Sequence, residues 1–240
     1  MNVKATKNVT ITPHFHYDYL WCASPDELGV KTARIIHDGL RLLRKYPSFK
    51  FVVDGVMAIR YFRHHYPAEW SEFHHAVQAK RIEVVGGHII APDTLIPGGE
   101  SLVRQFIYGQ HYLKRELGIP STVGYFVDSF GQTPQLPQIL QKVGIQNFIC
   151  MRGVGARRIP SESWWEAPDG SRVLTHYLAG SYSYILPPSP IGSSTSTTDC
   201  PTLHLNAFRG VRAISEFDWP FTPIHRSSAT FATVVGSDLQ

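Results

Sequence analysis

Pro13-His14-Phe15-His16-Tyr17-Asp18-Tyr19-Leu20-Trp21 follows directly on the β-branched run Val9-Thr10-Ile11-Thr12. β-Branched residues favour an extended chain, and an extended chain sends alternate side chains to one face. His14, His16 and Asp18 can therefore point together from a strand end, as ligands of one divalent metal must. A second acid, Asp128, closes the hydrophobic run Val123-Gly124-Tyr125-Phe126-Val127 and opens the glycine-bearing turn Ser129-Phe130-Gly131. Two strand ends thus offer one site.

Strands alternate with helices on either side of these two. Ser24-Pro25-Asp26-Glu27 reads as a capping box with proline at the first helical position, and Leu28, Ala33, Ile36, Leu40 and Leu43 follow at near-helical spacing up to a stop before Pro47. A strand from Phe49 to Val53, a helical pair from Val56 to about Lys80 broken at Pro67, and a strand Ile82-Glu83-Val84-Val85 come next. Ser101 to Leu117 reads as a helix. Thr133-Pro134 is the expected cap of another, reaching about Val143, and Asn147 to Met151 reads as a strand that hands over Arg152. From Trp164 to Tyr177 the pattern is a hairpin, with Asp169-Gly170 as its turn. The expectation is an α/β fold, a parallel sheet covered by helices that is either open or a (β/α) barrel-like sheet left incomplete. Functional groups belong beyond the C-terminal ends of such strands, and His16, Asp18, Asp54, Asp93, Asp128 and Arg152 all follow apolar runs.

With 240 residues, 43% of them hydrophobic and 18% charged, the chain can bury the core of one α/β domain. Its net charge of +4 is spread along the sequence and not massed in blocks, which speaks against a nucleic-acid partner. The three cysteines, Cys22, Cys150 and Cys200, lack paired metal-ligand spacing and indicate neither a disulfide framework nor a thiolate zinc site. Cys22 adjoins the metal strand, and a buried, inert thiol is the reading it favours. Met1 to Lys7 has no apolar signal core, and no apolar run approaches the ~20 residues of a membrane span. A cytoplasmic enzyme is expected.

Taken together, the motifs resemble glycoside hydrolase family 38, the zinc-dependent α-mannosidases. The resemblance rests on the His-x-His-x-Asp block with Trp21, on Pro92-Asp93 followed by Gly99-Glu100-Ser101-Leu102-Val103-Arg104-Gln105, on Asp128-Ser129-Phe130-Gly131, and on Leu136-Pro137-Gln138-Ile139-Leu140. It implies an N-terminal catalytic domain over residues 1–186 and Zn2+ held by His16, Asp18 and Asp128. Asp128 is also implied as the nucleophile of a retaining cleavage, in which a carboxylate attacks the anomeric carbon while another carboxyl protonates the leaving oxygen. By the same resemblance Trp21 forms a platform under the sugar of an α-mannoside. Arg152 is a substrate-side residue that could steady the acid cluster by charge-assisted hydrogen bonds. His14 could orient a metal ligand from behind.

Simpler readings stand beside these. A His-x-His pair is often only structural, Asp128 could cap its own turn, and Asp54 and Asp93 could be no more than strand-ending turn residues. His64-His65 and His74-His75 face successive helix directions and read as solvated. Pro187-Pro188-Ser189-Pro190 and the Ser/Thr run from Gly192 to Thr198 open a tail, residues 187–240, expected to be irregular and remote from the site. There Asp199, His204, Asp218 and His225 have no family context, so the general acid and a fourth ligand are not assigned and the catalytic domain is expected to be incomplete. The alternatives are a zinc-dependent carbohydrate deacetylase or amidohydrolase on a related barrel, since a metal-bound water would suit the same ligands, and a non-catalytic fragment.

Overall fold

The computed structural model of the chain describes residues 9–21, 23–153, 162–178 and 231–236. Cys22, and the tail between 187 and 230 with Asp199, Cys200, His204, Asp218 and His225, lie outside the described residues.

Strand β1 (Val9–His14) leads through the His16–Asp18 segment to helix α1 (Pro25–Lys45). The helix starts where the sequence says it should. Ser24 Oγ accepts the Glu27 amide at 3.3 Å, and the Glu27 carboxylate accepts the Ser24 amide at 2.9 Å. Two of the donors that a helix start leaves open are satisfied reciprocally. Asp26 and Glu27 in the first turn and Arg44 and Lys45 in the last suit the helix dipole.

Strand β2 (Phe51–Asp54), helix α2 (Val56–His65), a short 3-10 turn at Pro67–Glu69, helix α3 (Trp70–Gln78) and strand β3 (Ile82–Val85) follow. Pro67 breaks the helical pair because it cannot donate an amide hydrogen bond to the preceding turn. Strands β2 and β3 run parallel. Between them and the helices lies the first core, in which Phe15, Ile36, Leu40, Phe51, Ile59, Phe62 and Phe73 are buried. Full burial of such side chains contributes about 1.5–3 kcal/mol each.

Helix α4 (Gly99–Leu117), strand β4 (Val123–Phe126), helix α5 (Leu136–Lys142) and strand β5 (Asn147–Cys150) build the second core around Phe106, Phe126, Leu140 and Phe148. Helix α5 begins later than its sequence suggests. Thr133 and Pro134 form the turn ahead of it, with the Leu136 amide donating to the Thr133 carbonyl at 3.0 Å, and Pro137 occupies the first turn. The Thr133 amide donates instead to Thr94 Oγ1.

Strand β6 (Glu162–Glu166) and strand β7 (Arg172–Tyr177) form the expected hairpin, and β7 joins β5 in parallel. The described strands make three hydrogen-bonded sheets, β1 with β8 (Phe231–Gly236), β2 with β3, and β4-β5-β7-β6. They do not form one continuous closed barrel. A bridge from the Gly86 amide to the Val123 carbonyl, 2.8 Å, ties β3 to β4. Strand β8 pairs antiparallel with β1, so six residues of the stretch expected to be irregular are extended. Their β-branched run Thr233-Val234-Val235 accounts for it.

Candidate active site

The ends of β1, β2, β4 and β5 place the polar groups. His16 and Asp18 lie two and four residues past the end of β1, Asp128 two residues past β4, and Arg152 two residues past β5. His16 Nε2 is 3.2 Å from Asp18 Oδ1 and 3.9 Å from Asp128 Oδ2. One donor atom from each of the three side chains lies within 4.8 Å of the others. Arg152 Nε donates to Asp128 Oδ1, and its guanidinium stands 4.9 Å from the Phe130 ring centroid. Four of the five expected site residues are therefore brought together. Trp21 is on the turn beyond Asp18, 67% exposed.

His14 is buried, and its Nδ1 shares a 2.5 Å hydrogen bond with the Tyr125 hydroxyl on β4. It joins the two strands that carry the acids and is not one of the clustered donors. The loops behave likewise: Ser129 donates to the Pro92 carbonyl at 3.1 Å, and Thr94 donates to the Gly131 carbonyl at 3.1 Å. This stitches residues 92–94 to the turn after Asp128. Asp93 accepts the Leu95 amide at 3.3 Å, the turn role that its Pro-Asp context suggests. His64, His65 and His75 are exposed.

Two buried residues were not legible as site residues. Asp54, readable as a mere turn residue before Gly55, is 3% exposed, with Oδ2 3.9 Å from His16 Nδ1. Its Oδ1 lies 3.5 Å from Nε2 of His88, which is 1% exposed. The signal for Asp54 was its position at the end of a buried strand. For His88 it was the Gly86-Gly87 pair before it, both at positive φ. The His88 and Ile89 carbonyls accept the Val56 and Met57 amides of α2, each at 3.0 Å, which fixes this segment against the helix.

The donor set suits a zinc-like ion. One imidazole nitrogen and two carboxylate oxygens are ordinary ligands, and a tetrahedral ion with bonds of about 2.1 Å spaces its donors roughly 3.4 Å apart. The observed separations of 3.2 and 3.9 Å bracket that spacing. Burial opposes a charge on His16, but the Asp18 hydrogen bond and the charges of Asp54, Asp18 and Asp128 outweigh it and raise the imidazole pKa above 6.5. An excess of negative charge that draws a proton onto a histidine is also one that a cation would relieve. Cys150, by contrast, is buried and pushed up to about 12, an inert thiol.

Comparison with known proteins covers most of the chain. Residues 6–213 match the glycosyl hydrolases family 38 N-terminal domain. Alpha-mannosidase G of Dictyostelium discoideum is 32% identical over 179 residues, which is 73% of this chain and 16% of that protein. Human alpha-mannosidase 2C1 is 31% identical over 172 residues, 70% of this chain and 16% of that protein. The crystal structure of an alpha-mannosidase from Enterococcus faecalis V583 superposes with a TM-score of 0.65 at 27% identity, covering 72% of this chain and 20% of that one. The chain thus spans about one sixth of the length of these curated relatives.

Proposed function

Because the chain belongs to glycosyl hydrolase family 38, we propose that it carries the nucleophile and most of the metal site of a zinc-dependent α-mannosidase that cleaves with retention of configuration. The observation that supports this most is the meeting of His16, Asp18 and Asp128 at two strand ends, with Arg152 on the far oxygen of Asp128. His16, Asp18 and Asp128 would hold the ion. When bound, zinc supplies positive charge that offsets the acid cluster and a Lewis-acid contact for sugar hydroxyls.

The chain's own residues do the rest. Asp128 attacks the anomeric carbon as the glycosidic C–O bond breaks and the leaving oxygen takes a proton from a general acid, and water then displaces the carboxylate from the glycosyl ester to free mannose. Arg152 fixes the direction of that carboxylate by a charge-assisted hydrogen bond to its far oxygen. Tyr125 and His14 hold β4 against β1, so that the nucleophile and the two other acids and bases keep their spacing. Trp21 offers an exposed aromatic face three residues beyond Asp18, suited to the apolar face of a mannosyl ring.

The test is to incubate the Zn2+-supplied protein with an aryl α-mannoside and with an N-acetylated sugar, following the products by NMR. Release of mannose first as the α-anomer supports the proposal. Release of acetate, or of the β-anomer first, sinks it.

A further inference from the structure

We propose that Asp54 is a positioning residue for His16, holding the imidazole in the orientation and tautomer that a metal ligand needs, with His88 steadying Asp54 from behind. The inference rests on the metal-binding reading of His16, Asp18 and Asp128. His16 Nε2 faces Asp18 and Asp128, while Nδ1 faces Asp54 at 3.9 Å. A carboxylate on the Nδ1 side favours the proton there and leaves the Nε2 lone pair aimed at the ion, the arrangement by which groups behind a ligand commonly orient it.

Among the described residues, Asp54 caps no helix. The start of α2 takes no side-chain cap, and the Val56 and Met57 amides are spent on the His88 and Ile89 carbonyls. Asp54 Oδ1 and His88 Nδ1 are buried without a hydrogen-bond partner among the described residues. A buried carboxylate between two imidazoles is costly to place and is retained where a cation or a donor answers it. The surroundings also make room for the pair. A Cβ on Gly86 would stand 2.4 Å from His88 Cε1 and 3.0 Å from Asp54 Oδ1, and one on Gly109 of α4 would stand 2.3 Å from the Gly87 carbonyl oxygen. The His88 ring is set edge-on to Phe106, with centroids 6.2 Å apart, and tilted against Phe126 at 5.2 Å.

Co2+ titration of the full 240-residue chain, read by visible absorption, tests the proposal. Asp54→Asn should stay folded by circular dichroism, bind Co2+ about 10- to 100-fold more weakly and show a changed ligand-field spectrum. His88→Gln should show a smaller loss of the same kind. A folded Asp54→Asn chain that binds Co2+ as tightly as the wild type, with the same spectrum, overturns it. A wild-type chain that takes up no Co2+ removes the metal reading itself, and the proposal with it. Should Asp54→Asn not fold, the Zn2+-loaded wild type decides. The His16 Nδ1 proton, identified by its loss in His16→Gln, should appear at low field and exchange slowly with water, and fast exchange overturns the proposal.

Discussion

At the scale of single residues, Asp128 combines the most roles, as a proposed ligand of the ion, the partner of Arg152 and the proposed nucleophile. Asp128→Asn should leave the fold intact and weaken Zn2+ binding by more than the about 10- to 100-fold that loss of a group behind a ligand costs. Isothermal titration would measure it, and an unchanged affinity would remove Asp128 from the site. His16 gives a pH dependence whose sign is fixed. Its pKa is raised in the folded chain, so the protonated ring stabilises the metal-free fold below about 6.5, and that contribution is lost as pH rises through the raised value. Zinc needs the neutral ring. The Zn2+-induced rise in the thermal midpoint should therefore grow from mildly acidic to mildly alkaline pH, and a constant increment would contradict the assignment. The meeting of His16, Asp18 and Asp128 was legible because their spacing after apolar runs and the order of the motifs announce it. Asp54 was not, because an aspartate before glycine reads equally well as a turn, and only the burial of β2 separates the two readings.

At the scale of elements, the helices were easier to read than the sheet. α1 announced itself by a reciprocal cap and a buried stripe, both local features. Ser24→Ala should lower stability by about 1 kcal/mol in a urea titration, the ordinary cost of a lost N-cap. α5 was misplaced by two residues because Thr133-Pro134 and Leu136-Pro137 are both plausible starts, and the choice fell to Thr94, a residue 39 positions from Thr133 that claims its amide. Sheet pairing depends throughout on such distant partners, which is why β8 escaped notice. Helix α4 shows how tightly one element can grip another. Gly109→Ala would press a methyl group into the backbone of Gly87 and His88. A loss of about 1–3 kcal/mol is expected from overpacking of this kind, together with weaker Zn2+ binding if His88 shifts. Unchanged stability would mean that α4 can move away freely.

At the scale of the whole molecule, the chain matches about one sixth of the length of its curated relatives, and the proposed site is assembled from its strand ends alone. Metal binding and turnover should therefore separate. The purified 240-residue chain is expected to bind Zn2+ yet to hydrolyse an aryl α-mannoside below the ~1 s⁻¹ at the low end of ordinary enzymes, since general acid catalysis typically contributes ~10²- to 10⁴-fold and no acid has been assigned. Turnover of several per second would show that the acid is already present. The join between α2 and the segment after β3 carries one more consequence. Helices usually leave their first amides to water, but those of Val56 and Met57 end on the His88 and Ile89 carbonyls. Deuterium can replace these two protons only while that segment lifts away, and lifting it also carries His88 off Asp54. Their isotope uptake is thus a clock for how often the site comes apart. A bound ion that stabilises the closed form should slow the clock, although neither amide touches the metal.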